Sequence, residues 1–230
     1  MRPEALLAIR SDIASTVESE YLAWLTKEHV LERVSIEGFV SARIFRAKHS
    51  GFGRYLILYE LADASVVDSS AYLERLNNPT SWTMRMMPHL GNFVRGGGAV
   101  TAKLGAGYGA AIAAIMTGAE IFEYEYEALE AISKESGVAA IRLLQTDVER
   151  TTIATNERKL RSRDQSFEAL LILEAFDDDA ANRAAKELPP RLLNFSGQKS
   201  ASHEIPVYLQ IFTLDAELPT SVGGRRSQRG

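Results

Sequence analysis

The sequence predicts an α+β fold of two tandem ferredoxin-like β-α-β-β-α-β units closing into one barrel within the chain. Three observations carry this. The order of apolar runs and amphipathic stretches is the same in both halves of the chain, and each order is that of the split βαβ unit. Corresponding stretches match in detail, SARIFRA with AAIRLLQ and YLILYELAD with ALLILEAFD. The repeat distance of roughly 105 residues is far longer than the spacing of solenoid repeats. One such unit carries both helices on one face of its sheet, so the other face needs cover, and a second copy supplies it.

In the first half, residues 6–13 form a short apolar run expected to be a buried strand. Residues 18–34 have helical spacing without Gly or Pro, and Ser15, Thr16 and Ser19 are candidate N-caps. Gly38 ends that pattern. Residues 39–47 alternate apolar and polar side chains and read as a strand. The HSGFG turn and a second strand, 54–61, follow. Residues 69–76 read as a helix stopped before Asn77-Asn78-Pro79, and 82–93 as a further helix. The strand 96–104 closes the half.

The second half repeats the order: strand 110–117, helix 120–136 ended by Gly137, and strand 138–148. A polar stretch, 149–165, leads to strand 167–176, helix 177–188 stopped by Pro189-Pro190, and strand 206–214. Residues 1–105 are therefore expected to be the first unit, with the functional pocket. Residues 106–217 are expected to be a degenerate second unit, and 218–230 a disordered basic tail.

Composition narrows the function. Hydrophobic residues make up 46% and charged residues 24%, as in ordinary globular domains. There is no cysteine, which excludes thiolate catalysis, disulfides and Cys-ligated metals. Four histidines leave no metal-ligand cluster in sight, and no metal site is expected. A net charge of -4, with the basic residues of SVGGRRSQRG confined to the end, argues against a nucleic-acid surface. The longest weakly polar stretch, 106–119, is glycine-broken and shorter than the roughly 20 residues a bilayer needs. The first residues are too short in apolar run for a signal peptide. The expectation is a cytoplasmic protein with no membrane partner.

The first helix carries the densest chemistry. Tyr21, Leu25 and His29 fall at i, i+4 and i+8, with Trp24, Glu28 and Glu32 beside them. Aromatics and two carboxylates around an imidazole can tune it for general acid–base work. Arg43 and Tyr59 lie on the two hairpin strands and are expected to point to the helix side, to hold an oxygen anion or carboxylate. Tyr72, Trp82, Arg85 and His89 form a second group, with Arg85 and His89 on one face. Gly105, Gly107 and Gly109 precede a strand, so they make no dinucleotide fingerprint. Gly96-Gly97-Gly98 reads as a flexible connector in preference to an anion nest, and Asp177-Asp178-Asp179 as a helix start.

The segment EYLAWLTKEHVLERVSIEGFVSARIFRA, followed by RYLILYELAD, resembles the dimeric α/β-barrel superfamily in its EthD-like branch. The matching features are Tyr21, Trp24, Glu28-His29, Gly38-Phe39, Arg43 and the strand 55–60. Glu37 stands where the family has proline. The resemblance covers residues 5–62 well and 63–105 loosely. The second half matches only in fold, and the place of His29 falls there near Ala131 or Ser133. The resemblance implies a small aromatic, lactone or keto-acid substrate and no cofactor. His29, Tyr59 and Arg43 are then catalytic, and Tyr21, Trp24, Tyr72, Trp82, Arg85 and His89 bind substrate. The expected activity is cofactor-independent proton transfer of the lyase, decarboxylase or isomerase kind. The alternatives are a haem- or oxygen-using oxidoreductase, with His29 or His89 as axial ligand, and a non-catalytic binding module. Pairing into a homodimer through outer helices is compatible with the sequence, although no apolar patch demands it.

Overall fold

The computed structural model describes residues 4–48, 51–118, 120–193 and 205–216; the basic tail lies outside them. Nine strands are described. They are β1 (Ala5–Ile13), β2 (Phe39–Ala47), β3 (Gly53–Leu61), β4 (Gly91–Gly105), β5 (Ala111–Thr117), β6 (Val138–Gln145), β7 (Asp164–Gln165), β8 (Ala169–Ala175) and β9 (Val207–Asp215). The hydrogen-bonded order is β1-β3-β2-β9-β5-β8-β6-β4, and β4 pairs again with β1 to close the barrel. Every pairing in this ring is antiparallel. The sequences β4-β1-β3-β2 and β9-β5-β8-β6 are the same ferredoxin-like order. The two four-stranded sheets meet at β2–β9 and β6–β4, so the predicted intrachain barrel is what forms.

Alternation along the strands sets three apolar layers. Leu7, Ile9, Ile57 and Tyr59 face the helices of the first unit. Leu171, Leu173, Ala113 and Ile141 face those of the second. Leu6, Ala8, Phe45, Leu58, Ile112 and Ile172 fill the barrel interior. Gly38 and Gly137 sit at the matching helix-to-strand turns with φ of 94° and 90°, a left-handed conformation that glycine adopts without a Cβ clash.

The first helical stretch runs as α1 (Glu18–Trp24), a π-helical turn (Leu25–His29) and α2 (Val30–Val34). Val17 is its N-cap and makes no side-chain cap bond, so none of the three hydroxyl candidates caps it. Further on, α3 (Ser70–Asn77) is capped by Ser69, whose hydroxyl accepts from the Tyr72 amide. The expected helix over 82–93 is shorter: α4 (Ser81–Met86) and a 3-10 turn (Met87–His89) give way at Gly91 to β4. That strand includes Gly96, Gly97 and Gly98, which are neither a connector nor an anion nest. A Cβ at Gly98 would collide with the Gln145 carbonyl oxygen, and one at Gly96 with the Phe167 ring. Glycine is what lets neighbouring chain approach β4 so closely.

In the second half, α5 (Glu123–Ser133) and α8 (Asp178–Lys186) cover the sheet, and Asp177 caps α8 as expected. The short helix α9 (Pro190–Leu193) follows it. The strand expected over 138–148 stops at Gln145 because the Asp147 carboxylate caps the short helix α6 (Val148–Thr151). The polar stretch that follows, given no element in the sequence reading, has regular structure. It holds α6, α7 (Asn156–Lys159) and β7, and β7 pairs in parallel with Phe93 and Val94 of β4. This segment lies against the first unit: Asn156 bonds to Asn77 on α3, and Leu160 packs on the first-unit core.

Candidate active site

The π-helical turn shapes the site. The Val30 amide donates to the Leu25 carbonyl, five residues back. Such widened turns recur at functional positions. Here the wide turn keeps His29 on the buried face with Tyr21 and Leu25, so the spacing read from the sequence holds. His29 is 4% exposed, and its ring centroid is 4.4 Å from that of Trp24. Trp24 Nε1 donates to Thr83 Oγ1 on α4 (3.1 Å), which fixes the indole plane.

Between this helix, β1, β3 and the 3-10 turn lies a cavity of about 20 Å³, lined by Ser11, Tyr21, Trp24, His29, Phe93 and Glu157 among others. That volume suits one water molecule. Two buried polar atoms lining it, His29 Nδ1 and the Tyr21 hydroxyl, have no hydrogen-bond partner among the described residues, and neither has the Tyr59 hydroxyl, in the same first-unit core but outside the cavity lining. A buried polar group without a partner costs roughly 1–3 kcal/mol, so several in one core mark a place built for something other than packing.

The electrostatics differ from the sequence expectation. Glu28 accepts from Thr80 Oγ1 (2.6 Å), and Glu32 lies near Arg33 and Arg75. Neither carboxylate tunes the imidazole. Burial first, and then the positive charges of Arg33 and Arg161, hold the His29 pKa well below its usual value. His29 is thus a neutral imidazole near pH 7, with a lone pair available. Burial also pushes the Tyr59 phenol upward, so it is a donor and not a phenolate.

Three residues that the sequence reading missed complete the site: Arg33 on α2, and Glu157 and Arg161 from the 148–165 segment. Arg33 Nη2 donates to Glu157 Oε2 at 2.5 Å. Arg161 Nη1 lies 3.6 Å from Glu157 Oε1. The Arg161 guanidinium also lies over the Phe93 ring, 4.0 Å from its centroid, and makes a two-pronged pair with Asp164 at 2.7 and 2.6 Å. Glu157 and Arg161 are 6% and 8% exposed. The first-unit pocket is therefore closed by the second half and is not made by the first half alone. ERKLR carried no local signal for this, because its partners Arg33, Met87 and Phe93 lie in the other half of the chain.

The other candidates separate. Tyr72 is buried beside this cluster, with Arg33 and Arg95 both approaching its ring. Trp82 packs against the first-unit core but does not line the cavity. Arg85 is exposed, 3.9 Å from Glu20, and His89 is exposed as well; neither reaches the cavity.

Arg43 does not join His29 and Tyr59. Ala42 pairs with Tyr59, and Arg43 with Leu58, so the pleat sends Arg43 to the barrel interior. There it meets Glu174 Oε1 and Oε2 (3.0 and 2.9 Å), Gln210 Oε1 (2.8 Å) and the Gly109 carbonyl (2.8 Å). Arg142, its counterpart in the second unit, bonds to Glu60 at 2.8 Å and also to Glu174. Glu60 and Glu174 are themselves counterparts on β3 and β8. Four charges thus cross-link the two sheets at one end of the barrel, under the Tyr108 ring. A cavity of about 420 Å³ opens beside Arg43, Glu60, Tyr108 and Asp215. Every Arg43 nitrogen is engaged, so this arginine holds the fold and not a substrate.

The site does not fit a haem. His29 is packed on Trp24 beside a water-sized cavity, and His89 is on the surface, so neither has room for a porphyrin. Among the described residues no group of three or more His, Asp or Glu side chains converges as metal ligands do. No described helix is long and apolar enough to cross a membrane.

No protein-family profile matches the chain, and no curated protein does. Solved structures do. An anthrone-oxidase-like protein matches with a TM-score of 0.54 at 13% identity, covering 96% of this chain and 97% of that one. A candidate monooxygenase from Fusobacterium nucleatum subsp. nucleatum matches with a TM-score of 0.51 at 11% identity, covering 94% and 96%. At these identities the likeness is one of fold, and the fold is the dimeric α/β barrel, formed here by two ferredoxin-like units of one chain.

Proposed function

We propose that the chain is a cofactor-independent enzyme that removes a proton from a small enolisable aromatic substrate, with His29 as the base. The observation that carries this is the buried neutral imidazole with an unpartnered Nδ1 in a cavity walled by aromatic rings, with the unpartnered Tyr59 hydroxyl in the same first-unit core. Trp24, Tyr21 and Phe93 supply an aromatic wall. The proton of an acidified C–H passes to His29 Nδ1. The electron pair moves to the substrate carbonyl oxygen, and the resulting enolate accepts a hydrogen bond from Tyr59 Oη. Return of the proton to a different carbon gives isomerisation; where the same carbon carries a carboxylate, its departure as CO2 in place of the proton sends the bonding pair to the carbonyl oxygen, and protonation of the carbon then completes a decarboxylation.

A second reading uses the same first step. The names of the two similar structures, a monooxygenase and an anthrone-oxidase-like protein, favour reaction of that enolate with molecular oxygen. Anthrone is itself an enolisable aromatic ketone. Both readings predict that the protein exchanges the acidic C–H of such ketones in D2O. Proton NMR on a panel of aryl ketones, anthrone included, tests this: signal loss above the buffer rate supports the proposal, and buffer-rate exchange across the panel counts against it.

A further inference from the structure

We infer that the substrate of this pocket carries a carboxylate, which takes the seat that Glu157 occupies between Arg33 and Arg161. This rests on the reading of the His29 pocket as the active site. That cavity has room for one water molecule only, so a substrate must displace something. Of the polar side chains lining it, Glu157 is the one borne on a short helix from the far half of the chain. Helix α7 has four residues, and its hydrogen bonds to Asn77 on α3 are exposed. Exposed hydrogen bonds of a short element open at low cost.

Displacement by a neutral molecule would strand Arg33, which is 3% exposed and has only the distant Glu32 (3.8 Å) as a further carboxylate partner. Leaving a buried guanidinium unpaired is strongly unfavourable. Displacement by another carboxylate keeps the charge balance and gives Arg33 a charge-assisted hydrogen bond in place of the one to Glu157. Arg161 stays in place, held by Asp164 and the Phe93 ring. The vacated position then offers two guanidinium groups, an aromatic wall, and the free His29 Nδ1 and Tyr59 Oη. An aromatic acid matches all of these, so Glu157 acts as an internal stand-in for it.

Benzoate is the probe, with benzyl alcohol as its neutral counterpart, and binding is followed by calorimetry on the full chain. Glu157→Gln removes the internal competitor and should bind benzoate at least about tenfold more tightly than the wild type, with no gain for benzyl alcohol. Adding Arg33→Gln to that variant should abolish the gain. Asn156→Ala, a surface change that loosens α7 and keeps the ion pair, should raise benzoate affinity a few fold, and it stands in if Glu157→Gln fails to fold. Unchanged benzoate affinity in these variants, or an equal gain for benzyl alcohol, overturns the inference. The catalytic reading fails separately: a His29→Ala variant that binds benzoate normally and still exchanges protons at the full rate removes the base and leaves the anion seat.

Discussion

Arg33 Nη2 lies 2.5 Å from Glu157 Oε2, although 124 residues separate the two in the chain. The pair joins the first unit's long helix to a segment inserted between two strands of the second. It turns a pocket of one ferredoxin-like unit into a chamber closed by the other. The barrel closure that brings β4 beside β6 and β7 is what places the two residues together.

The cross-sheet cluster should dominate stability. Glu174 accepts from Arg43, Arg142 and the Gly109 amide and is fully buried. Glu174→Gln leaves two buried guanidinium groups short of a charge and should cost about 3–5 kcal/mol. For a chain of this size that is a fall in Tm of about 6–20 °C. Thermal melts followed by circular dichroism check it; a fall of a degree or two would mean the cluster is solvated.

Tyr59→Phe should separate stability from chemistry. Its hydroxyl is buried without a partner, so removing it should leave the fold as stable or stabilise it by up to about 1–2 kcal/mol. The same change should slow catalysed C–H exchange on the order of a hundredfold, because the enolate loses its donor. Urea unfolding and the NMR exchange assay read the two effects; a destabilised variant with full exchange would refute both.

His29 makes stability depend on pH in one direction. Its folded pKa lies well below the unfolded value of about 6.5. Below 6.5 the unfolded chain takes up a proton that the folded chain refuses. Stability from this group is thus complete above 6.5 and is lost as pH falls, at up to about 1.4 kcal/mol per pH unit. Subtracting the urea-unfolding profile of His29→Phe from that of the wild type isolates the effect. Parallel profiles between pH 7.5 and 5.5 would show that the imidazole is not buried.

Much of the fold was legible because apolar alternation and the paired glycines, Gly38 and Gly137, mark the same turns in both halves. The helix face of Tyr21, Leu25 and His29 was legible for the same reason. Arg43 was misplaced because its side of the sheet depends on the β2–β3 register, which no single strand reveals. Glu60 and Glu174 do match position for position in YLILYELAD and ALLILEAFD, but in SARIFRA and AAIRLLQ Arg43 falls opposite Ile141, one place from Arg142. Only the strand registers, Arg43 with Leu58 and Arg142 with Ile172, make the two arginines counterparts. Gly96 to Gly98 suggested freedom where they permit close approach. The roles of Glu157 and Arg161 exist only through contacts across the two units, and a polar run such as ERKLR looks the same on any solvated surface.

If His29 moves the proton, its loss must stop the exchange, and the decisive comparison is the exchange rate of His29→Ala against wild type with melting curves alongside. On an aryl ketone that the wild type exchanges, the rate should fall about a hundredfold to ten-thousandfold in a variant that still folds cooperatively. A folded His29→Ala protein that exchanges the same C–H at the wild-type rate would contradict it.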